Sequence, residues 1–488
     1  MKKPNVLWLM TDEQRTDSLG CYHSPWANTP RLDALAESGV VFDNALSASP
    51  VCVPARTSML TGLYPHDTRV WHNRVPEVDL GNLLDQFHAA GYQSATFGKQ
   101  HHRLARKPFE TSGGVGYGKQ ATHFFHYKEP YKGEDYDMVQ YPGIFPWILG
   151  GVYPETAESK METGVVDLAL DWFNGRDKER PFFLRVSFSG PHTPVTPPKP
   201  FDSLIPDESI RFPPETEDRQ AGLPAWLDRD WAVMNSADSL SNEQVTVMRR
   251  HYYGFVSFLD QQFARVLDEL DRAGELENTI IAFVSDHGTL LGDYGFVQKG
   301  TFYEPDNGVP FFFCGPGIPA GTRLKTPVSS ASILPTLLEL AGLAYEPLPG
   351  VHDVAGESWS AAASGPGAAT VDGPLPSLAR AIAEGSEPEA RPILSEITGV
   401  PPGMPAARAP GPFRGYRHHL PRALVRDGNL KLAGILDPGL DELLLTDLEN
   451  DPLETTNKAD EPAYSGEVDR LRGVLEEATS GKLPNYGA

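Results

Sequence analysis

Two pairs of metal-ligating residue types follow short apolar runs in this 488-residue chain. Asp12 and Glu13 come just after Asn5 to Met10 (NVLWLM), and Asp286 and His287 come just after Thr279 to Val284 (TIIAFV). Carboxylate oxygens suit a hard divalent ion such as Ca²⁺ or Mg²⁺, and one imidazole among them also tolerates Mn²⁺. Taken alone, each pair would serve equally well to cap the segment that follows it. A third cluster, Cys52-Val53-Pro54-Ala55-Arg56, is harder to dismiss. Composition alone would produce a Cys-x-Pro-x-Arg pattern roughly 0.015 times in this chain. It places a potential nucleophile at the start of a short helix, where free N–H groups favour an anion. Arg56, one turn on, faces the same side as Cys52.

These groups need a scaffold that brings distant segments together. NVLWLM, TIIAFV and Pro181 to Phe188 (PFFLRVSF) are nearly all apolar, as central strands covered on both faces are. Tyr252, Val256, Leu259, Phe263, Val266 and Leu270 recur at helical steps and end near Gly274. A second helix is predicted from Pro335 to Ala341. The alternation predicts an α/β fold with a largely parallel or mixed central sheet. In such sheets ligands gather at the carboxyl ends of the strands, where both pairs stand. The composition shifts from Glu346 to Gly415, which is rich in Pro, Gly, Ala and Ser, with one short helical candidate at Leu378 to Ala383. Ala423 to Leu432 looks like two strand edges around a turn, and a last helix covers Gly466 to Ala478. The expected division is a catalytic domain over residues 1–345 and a smaller C-terminal subdomain over 346–488, with an insertion at about 346–415.

Lys plus Arg number 42 against 65 Asp plus Glu, a formal charge of −23. That balance argues against a nucleic-acid partner, although a local cationic pocket can still hold an anion. Three cysteines, Cys21, Cys52 and Cys314, are too few for a disulfide framework and suit a reducing compartment. Cys21 and Cys314 read as buried small side chains. The apolar run after Lys3 is too short for a signal peptide, and no apolar stretch approaches 18 residues. The expectation is a cytoplasmic protein with no membrane partner.

The segment Cys52 to Gly62 resembles the signature of the type I sulfatases of the alkaline phosphatase-like superfamily, in which the Cys is converted to Cα-formylglycine. Gly98-Lys99-Gln100-His101 is similar to that family's Gly-Lys-x-His element, and Ser189 to Pro194 is similar to its Pro-His-x-Pro element. Leu291-Gly292-Asp293 through Lys299 to Glu304 resembles the stretch carrying its late lysine, and Asp447 to Asn457 its C-terminal signature. The resemblance implies a large central mixed sheet flanked by helices, with a small antiparallel sheet and a helix in the C-terminal subdomain. It implies one divalent metal, Ca²⁺ first and Mn²⁺ or Mg²⁺ as alternatives, held by Asp12, Glu13, Asp286, His287 and the modified Cys52. Arg56 and Lys99 would hold the aldehyde hydrate and sulfate oxygens. One hydroxyl of the hydrate, polarised by the metal and Asp286, would attack sulfur. The other, deprotonated by His101, would expel sulfate and regenerate the aldehyde. Lys299 and His192 would bind sulfate and protonate the leaving alkoxide. The implied partners are a small-molecule or saccharide sulfate ester and a formylglycine-generating enzyme, and a homo-oligomer is compatible with this reading.

Glu13 stands where many members have a second Asp. His287 replaces the Asn of the animal arylsulfatases and resembles the phosphonate monoester hydrolases and many bacterial sulfatases; Asn73 and His287 lean toward the phosphonate reading. Asp306-Asn307-Gly308 replaces a Ser/Arg-containing segment before Val309-Pro310, which predicts a rebuilt part of the site. His72 and Asn73 are candidate substrate contacts at the pocket rim, with a solvated loop as the other reading. His102 reads as packing or facing solvent, and His123 and His126 as loop packing, with a substrate-pocket lining as the other reading. The expected function is sulfate monoester hydrolysis; the alternative is hydrolysis of phosphonate monoesters or phosphodiesters. Lys99 with His101 favours sulfate. A silent anion-binding protein is the third reading, disfavoured by the full set of catalytic residue types.

Overall fold

The computed structural model describes residues 2–73, 75–114, 139–140, 148–210, 227, 240–348, 374–398, 421–436 and 441–479. His123 and His126 lie outside the described residues. The central sheet contains β1 (Asn5–Asp12), β2 (Gly39–Phe42), β3 (Gln93–Gly98), β4 (Thr111–Gly113), β5 (Phe182–Pro191), β6 (Thr279–Ser285), β7 (Phe311–Cys314) and β8 (Thr322–Leu324). Their spatial order is β8-β2-β7-β6-β1-β5-β3-β4. Only β7 runs antiparallel to its neighbours, β2 and β6, so the sheet is mixed as expected.

The all-apolar strands are explained by two-sided burial. Side chains alternate across a strand. Val6, Trp8 and Met10 therefore enter one core with Ile280, Ala282 and Val284, while Leu7 and Leu9 enter the opposite one with Ile281 and Phe283. Helices cover both faces: α1 (Cys52–Thr61), α2 (Met161–Gly175), α3 (Asn242–Arg272), α4 (Ile333–Leu340), α5 (Ala379–Glu384) and α6 (Ser465–Thr479). The predicted stripe on α3 packs into the second core through Tyr252, Val256, Leu259, Phe263, Val266 and Leu270. The helix starts at Asn242, well before Tyr252, because Ser241 and Gln244 close a capping box: Gln244 N donates to Ser241 Oγ (3.2 Å) and Ser241 N to Gln244 Oε1 (2.9 Å). Cys314 is buried, whereas Cys21 is only half-buried, on a surface turn where its N–H donates to Asp33 Oδ1 (2.7 Å).

At the C-terminal end β9 (Ile393–Thr398), β10 (Pro421–Asp427), β11 (Leu430–Ile435) and β12 (Asp441–Asp447) form an antiparallel meander. β9 falls inside the stretch whose composition suggested an insertion; of its residues, ILSEIT, the apolar Ile393, Leu394 and Ile397 are buried. Leu394, Val425, Leu432, Leu471 and Leu475 share one core with Trp8 and Phe311, so this sheet closes one face of the main sheet.

A buried ion pair fastens that junction. His66 N donates to Glu396 Oε2 (2.9 Å), the His66 ring bonds the same carboxylate through Nδ1, and Nε2 lies 3.2 Å from Asp67 Oδ2. Burial alone would lower the His66 pKa, but Glu396 and Asp67 overcome it and push it up to about 10. A pKa raised on folding stabilises the fold fully below the unfolded value of about 6.5 and ceases to do so as pH rises through the folded one. Melting temperature should therefore fall between about pH 6.5 and 10, and Glu396→Gln should flatten that slope. The variant should also cost about 3–5 kcal/mol at neutral pH, because one partner of a buried pair is lost. Thermal melts across pH check this; an unchanged slope in the variant would refute the assignment.

Candidate active site

β1 and β6 are neighbours in register, with Thr11 opposite Ser285, so Asp12 and Asp286 leave the sheet side by side. The Cys52 end of α1 sits over this edge. The Cys52 Sγ lies 3.2 Å from His287 Nε2, 3.8 Å from Asp12 Oδ1, 3.7 Å from Lys99 Nζ and 3.9 Å from Lys299 Nζ. Asp12, Cys52, Asp286 and His287 are fully buried and offer four ligand atoms within 4.8 Å of one another. Lys99 arrives from the end of β3 with its ammonium against Asp12. Gly98 makes that approach feasible: at φ +94° its Cα passes so close to β5 that a Cβ would meet Ser187 O at 2.0 Å.

Arg56 is fully buried, and all five of its donors are committed. Nε donates to Asp286 Oδ2 (2.7 Å), the Nη1 group to Lys99 O (3.0 Å) and Ser187 Oγ (2.9 Å), and the Nη2 group to Thr11 O (3.4 Å) and Asp12 Oδ2 (3.3 Å). The resemblance implies that Arg56, with Lys99, holds the aldehyde hydrate and sulfate oxygens. With residue 52 a cysteine, the Arg56 fork faces the two carboxylates and fixes their orientation.

Glu13 stands at φ +66°, an uncommon conformation for a side-chain-bearing residue. Its N–H donates to Asp286 Oδ1 (3.1 Å), but its carboxylate turns away from His287, toward Lys299 Nζ (2.8 Å) and His192 Nε2 (3.4 Å). Asp12, Glu13 and His192 thus make a second compact group that shares Asp12 with the first. Asn73, expected at the rim, accepts the Val53 N–H (3.0 Å) and caps α1, while His72 is half-buried beside it.

The electrostatics follow from burial. Burial lowers the His287 pKa to about 3, so the ring is neutral at ordinary pH. Its Nδ1 faces the Gly288 carbonyl (2.8 Å), which only accepts, so Nδ1 carries the proton and the Nε2 lone pair points into the cluster. The same argument holds for His192, whose Nδ1 faces Thr193 O (2.7 Å) and whose pKa burial holds well below its usual value. Burial also raises Asp286, but the Arg56 guanidinium at 2.7 Å and the nearby Lys99 outweigh it and keep that carboxyl ionised. Two carboxylates and an imidazole nitrogen are a donor set that fits a divalent cation. Burial pushes the Cys52 thiol up to about 12 and pulls Lys99 down to about 7. Lys299 resists burial through its 2.8 Å ion pair with Glu13 and stays charged. His101 is half-buried at φ +44°, with burial, Lys99 and Arg56 all keeping its ring neutral.

Two supporting residues carried no sequence signal. Tyr252 belongs to the apolar stripe of α3, yet its hydroxyl donates to Glu13 O (2.7 Å) and accepts from Arg15 N (2.9 Å). Ser47 Oγ donates to the Asp286 carbonyl.

The comparisons agree with this architecture. The sulfatase family profile matches residues 4–343. A sulfatase of Formosa agariphila is 33% identical over 367 residues, 70% of this chain and 70% of that protein. A choline-sulfatase of Rhizobium meliloti is 28% identical over 495 residues, 98% of this chain and 85% of that protein. The phosphonate monoester hydrolase of Agrobacterium radiobacter shares the fold, with a TM-score of 0.78 and 24% identity over 99% of this chain and 97% of that one. Among the described residues, no helix is long and apolar enough to cross a membrane. The profile match begins at the strand carrying Asp12 and runs past those carrying Lys99, His192 and Asp286: the chain belongs to the sulfatase family and is a sulfuric ester hydrolase.

Proposed function

We propose that the protein hydrolyses the sulfate monoester of a small molecule or saccharide, using a formylglycine made from Cys52 and one divalent cation. The observation that carries this reading is the position of residue 52, where the Asp12–Asp286–His287 donor set meets the Lys99 and Lys299 ammonium groups. An unmodified thiol held protonated by burial is a poor nucleophile, which favours a modified residue there. Asp12, Asp286, His287 and residue 52 would hold the cation, with Glu13 beside them. A cation there supplies positive charge to polarise oxygen atoms at the reacting centre.

The remaining steps belong to the chain's own groups. Arg56 keeps Asp286 ionised and aims both Asp12 and Asp286. Lys99 and Lys299 take sulfate oxygens. His101, neutral as a base must be, accepts the proton of the hydrated aldehyde. Of the pair beside the leaving oxygen, Lys299 is the charged donor, since burial keeps His192 neutral.

His287 favours a second reading, phosphonate monoesters or phosphodiesters. All of these substrates carry one negative charge, so bulk electrostatics do not separate them. They differ in the extra substituent on phosphorus, which needs room where sulfate presents a bare oxygen. Lys99, pressed between Asp12 and Cys52, fills that room with a donor, and leaving a buried donor unpaired costs about 1–3 kcal/mol. An aryl sulfate should therefore show a higher kcat/KM than the aryl phosphonate with the same leaving group, and Lys99→Ala should narrow the gap. Parallel kinetics decide the matter; a clear preference for the phosphonate or diester would move the protein to the second reading.

A further inference from the structure

The segment Asp306-Asn307-Gly308, expected from the sequence to rebuild part of the site, lies behind Lys299. Asp306 is fully buried within the short helix Glu304–Asn307. Its Oδ2 accepts the N–H groups of Gly300 (2.5 Å) and Thr301 (2.8 Å), the two residues that follow Lys299. Its own carbonyl accepts the Gly288 N–H (2.8 Å), and the Pro305 carbonyl accepts that of Thr289 (3.0 Å). Gly288 is required there, because a Cβ would meet Pro305 O at 2.1 Å. The next residue, Asn307, accepts Ser47 N (2.8 Å) and Ser395 Oγ (2.8 Å).

One side chain and its backbone thus tie the loop of Lys299 to the strand end of Asp286 and His287. The clasp is anchored in the C-terminal sheet: Glu304 N donates to Glu454 Oε2 (2.7 Å), Lys431 bridges Glu304 (2.8 Å) and Glu454 (2.6 Å), and Arg426 reaches Glu304 (3.0 Å). The other carboxyl oxygen, Oδ1, has no hydrogen-bond partner among the described residues. Burial pushes the carboxyl up to about 7, so the fold carries an ill-solvated acid at this point. The carboxyl lies outside the catalytic cluster, and its two bonds go to the residues that set where Lys299 begins.

We infer that Asp306 is a positioning residue: it holds the Gly300 and Thr301 amides so that the Lys299 ammonium is presented to residue 52 and Glu13. This rests on the role given to Lys299 above. The test uses Asp306→Ala, Asp306→Asn, Lys299→Ala and the Asp306→Ala/Lys299→Ala double variant in the full chain. Aryl sulfate kinetics are read beside amide exchange over residues 298–303. Asp306→Ala should lower kcat/KM about tenfold or more. In the Lys299→Ala background the same change should cost less than about twofold, because the group it acts through is gone. Asp306→Asn retains an accepting oxygen, so it should stay within about threefold of the parent and keep the Gly300 and Thr301 amides protected, whereas Asp306→Ala should expose them.

Should Asp306→Ala fail to fold, Asp306→Ser carries the same expectation, since its shorter side chain withdraws the oxygen from both amides. Additive losses beside an impaired but measurable Lys299→Ala, or unchanged amide protection in Asp306→Ala, would overturn the inference and leave the role of Lys299 intact. Full activity in Lys299→Ala would remove that role and the inference together.

Discussion

Cys52→Ala should abolish sulfate ester hydrolysis, by on the order of 10⁴-fold or more, as removal of a covalent nucleophile does. The fold should survive. Cys52 lies in a polar pocket lined by Asp12, Lys99, His287 and Lys299, so its removal leaves no large apolar cavity behind. Cys52→Ser tests a finer point: an unconverted hydroxyl offers one oxygen where the hydrated aldehyde offers two, so turnover should stall after sulfate is transferred. Mass spectrometry of the peptide spanning Val51 to Arg56 should find CHO in place of CH₂SH in active protein. An unmodified thiol at full specific activity would sink the mechanism.

The second large effect concerns the cation. Chelator-treated protein should lose activity by about 10³-fold or more and regain it with Ca²⁺, Mg²⁺ or Mn²⁺, the best of the three identifying the ion. Asp286→Asn should behave like chelated protein while remaining folded, because the amide oxygen can still face Arg56. Asp286→Ala should fare worse. It removes the 2.7 Å partner of a fully buried guanidinium, and breaking such a pair costs about 3–5 kcal/mol. Melting curves separate the two: both variants should be inactive, and only the Ala variant should melt much earlier. Full activity of metal-free protein would refute the donor set.

The strands that carry the site were legible because two-sided burial forces nearly pure apolar runs, and the acids after NVLWLM and TIIAFV mark where those runs end. The first ten residues of α3 were not legible, since NEQVTVMRRH lacks a clear stripe and its start depends on a capping box, not on periodicity. β9 was hidden by its surroundings, a short strand within a Pro- and Gly-rich stretch. Among the site residues, type and spacing pointed to Cys52, Asp12 and Asp286, and the family resemblance to Lys99, but neither showed how Arg56 distributes its donors. Its proximity to Cys52 on one helix face suggested a contact with the substrate. The five acceptors it meets come from β1, β3, β5 and the end of β6, which only the folded sheet brings together. The Asn73 cap and the Tyr252 hydroxyl are hidden for the same reason: one polar atom at the tip of a residue whose pattern reports its body.

Burial of Cys52 also sets a clock. The residue is 1% exposed, and the imidazole that closes over it belongs to a residue 235 positions later. At about 5–20 residues per second, the ribosome needs roughly 12–47 s to cover that distance, during which the segment around Cys52 has no His287 or Asp286 to pack against. Any enzyme that alters the Cys52 side chain has its easiest access in that interval. If Cys52 is converted as proposed, the supply of finished protein would depend on a race between synthesis and modification, and slower translation would favour the modifier without any change in the folded enzyme.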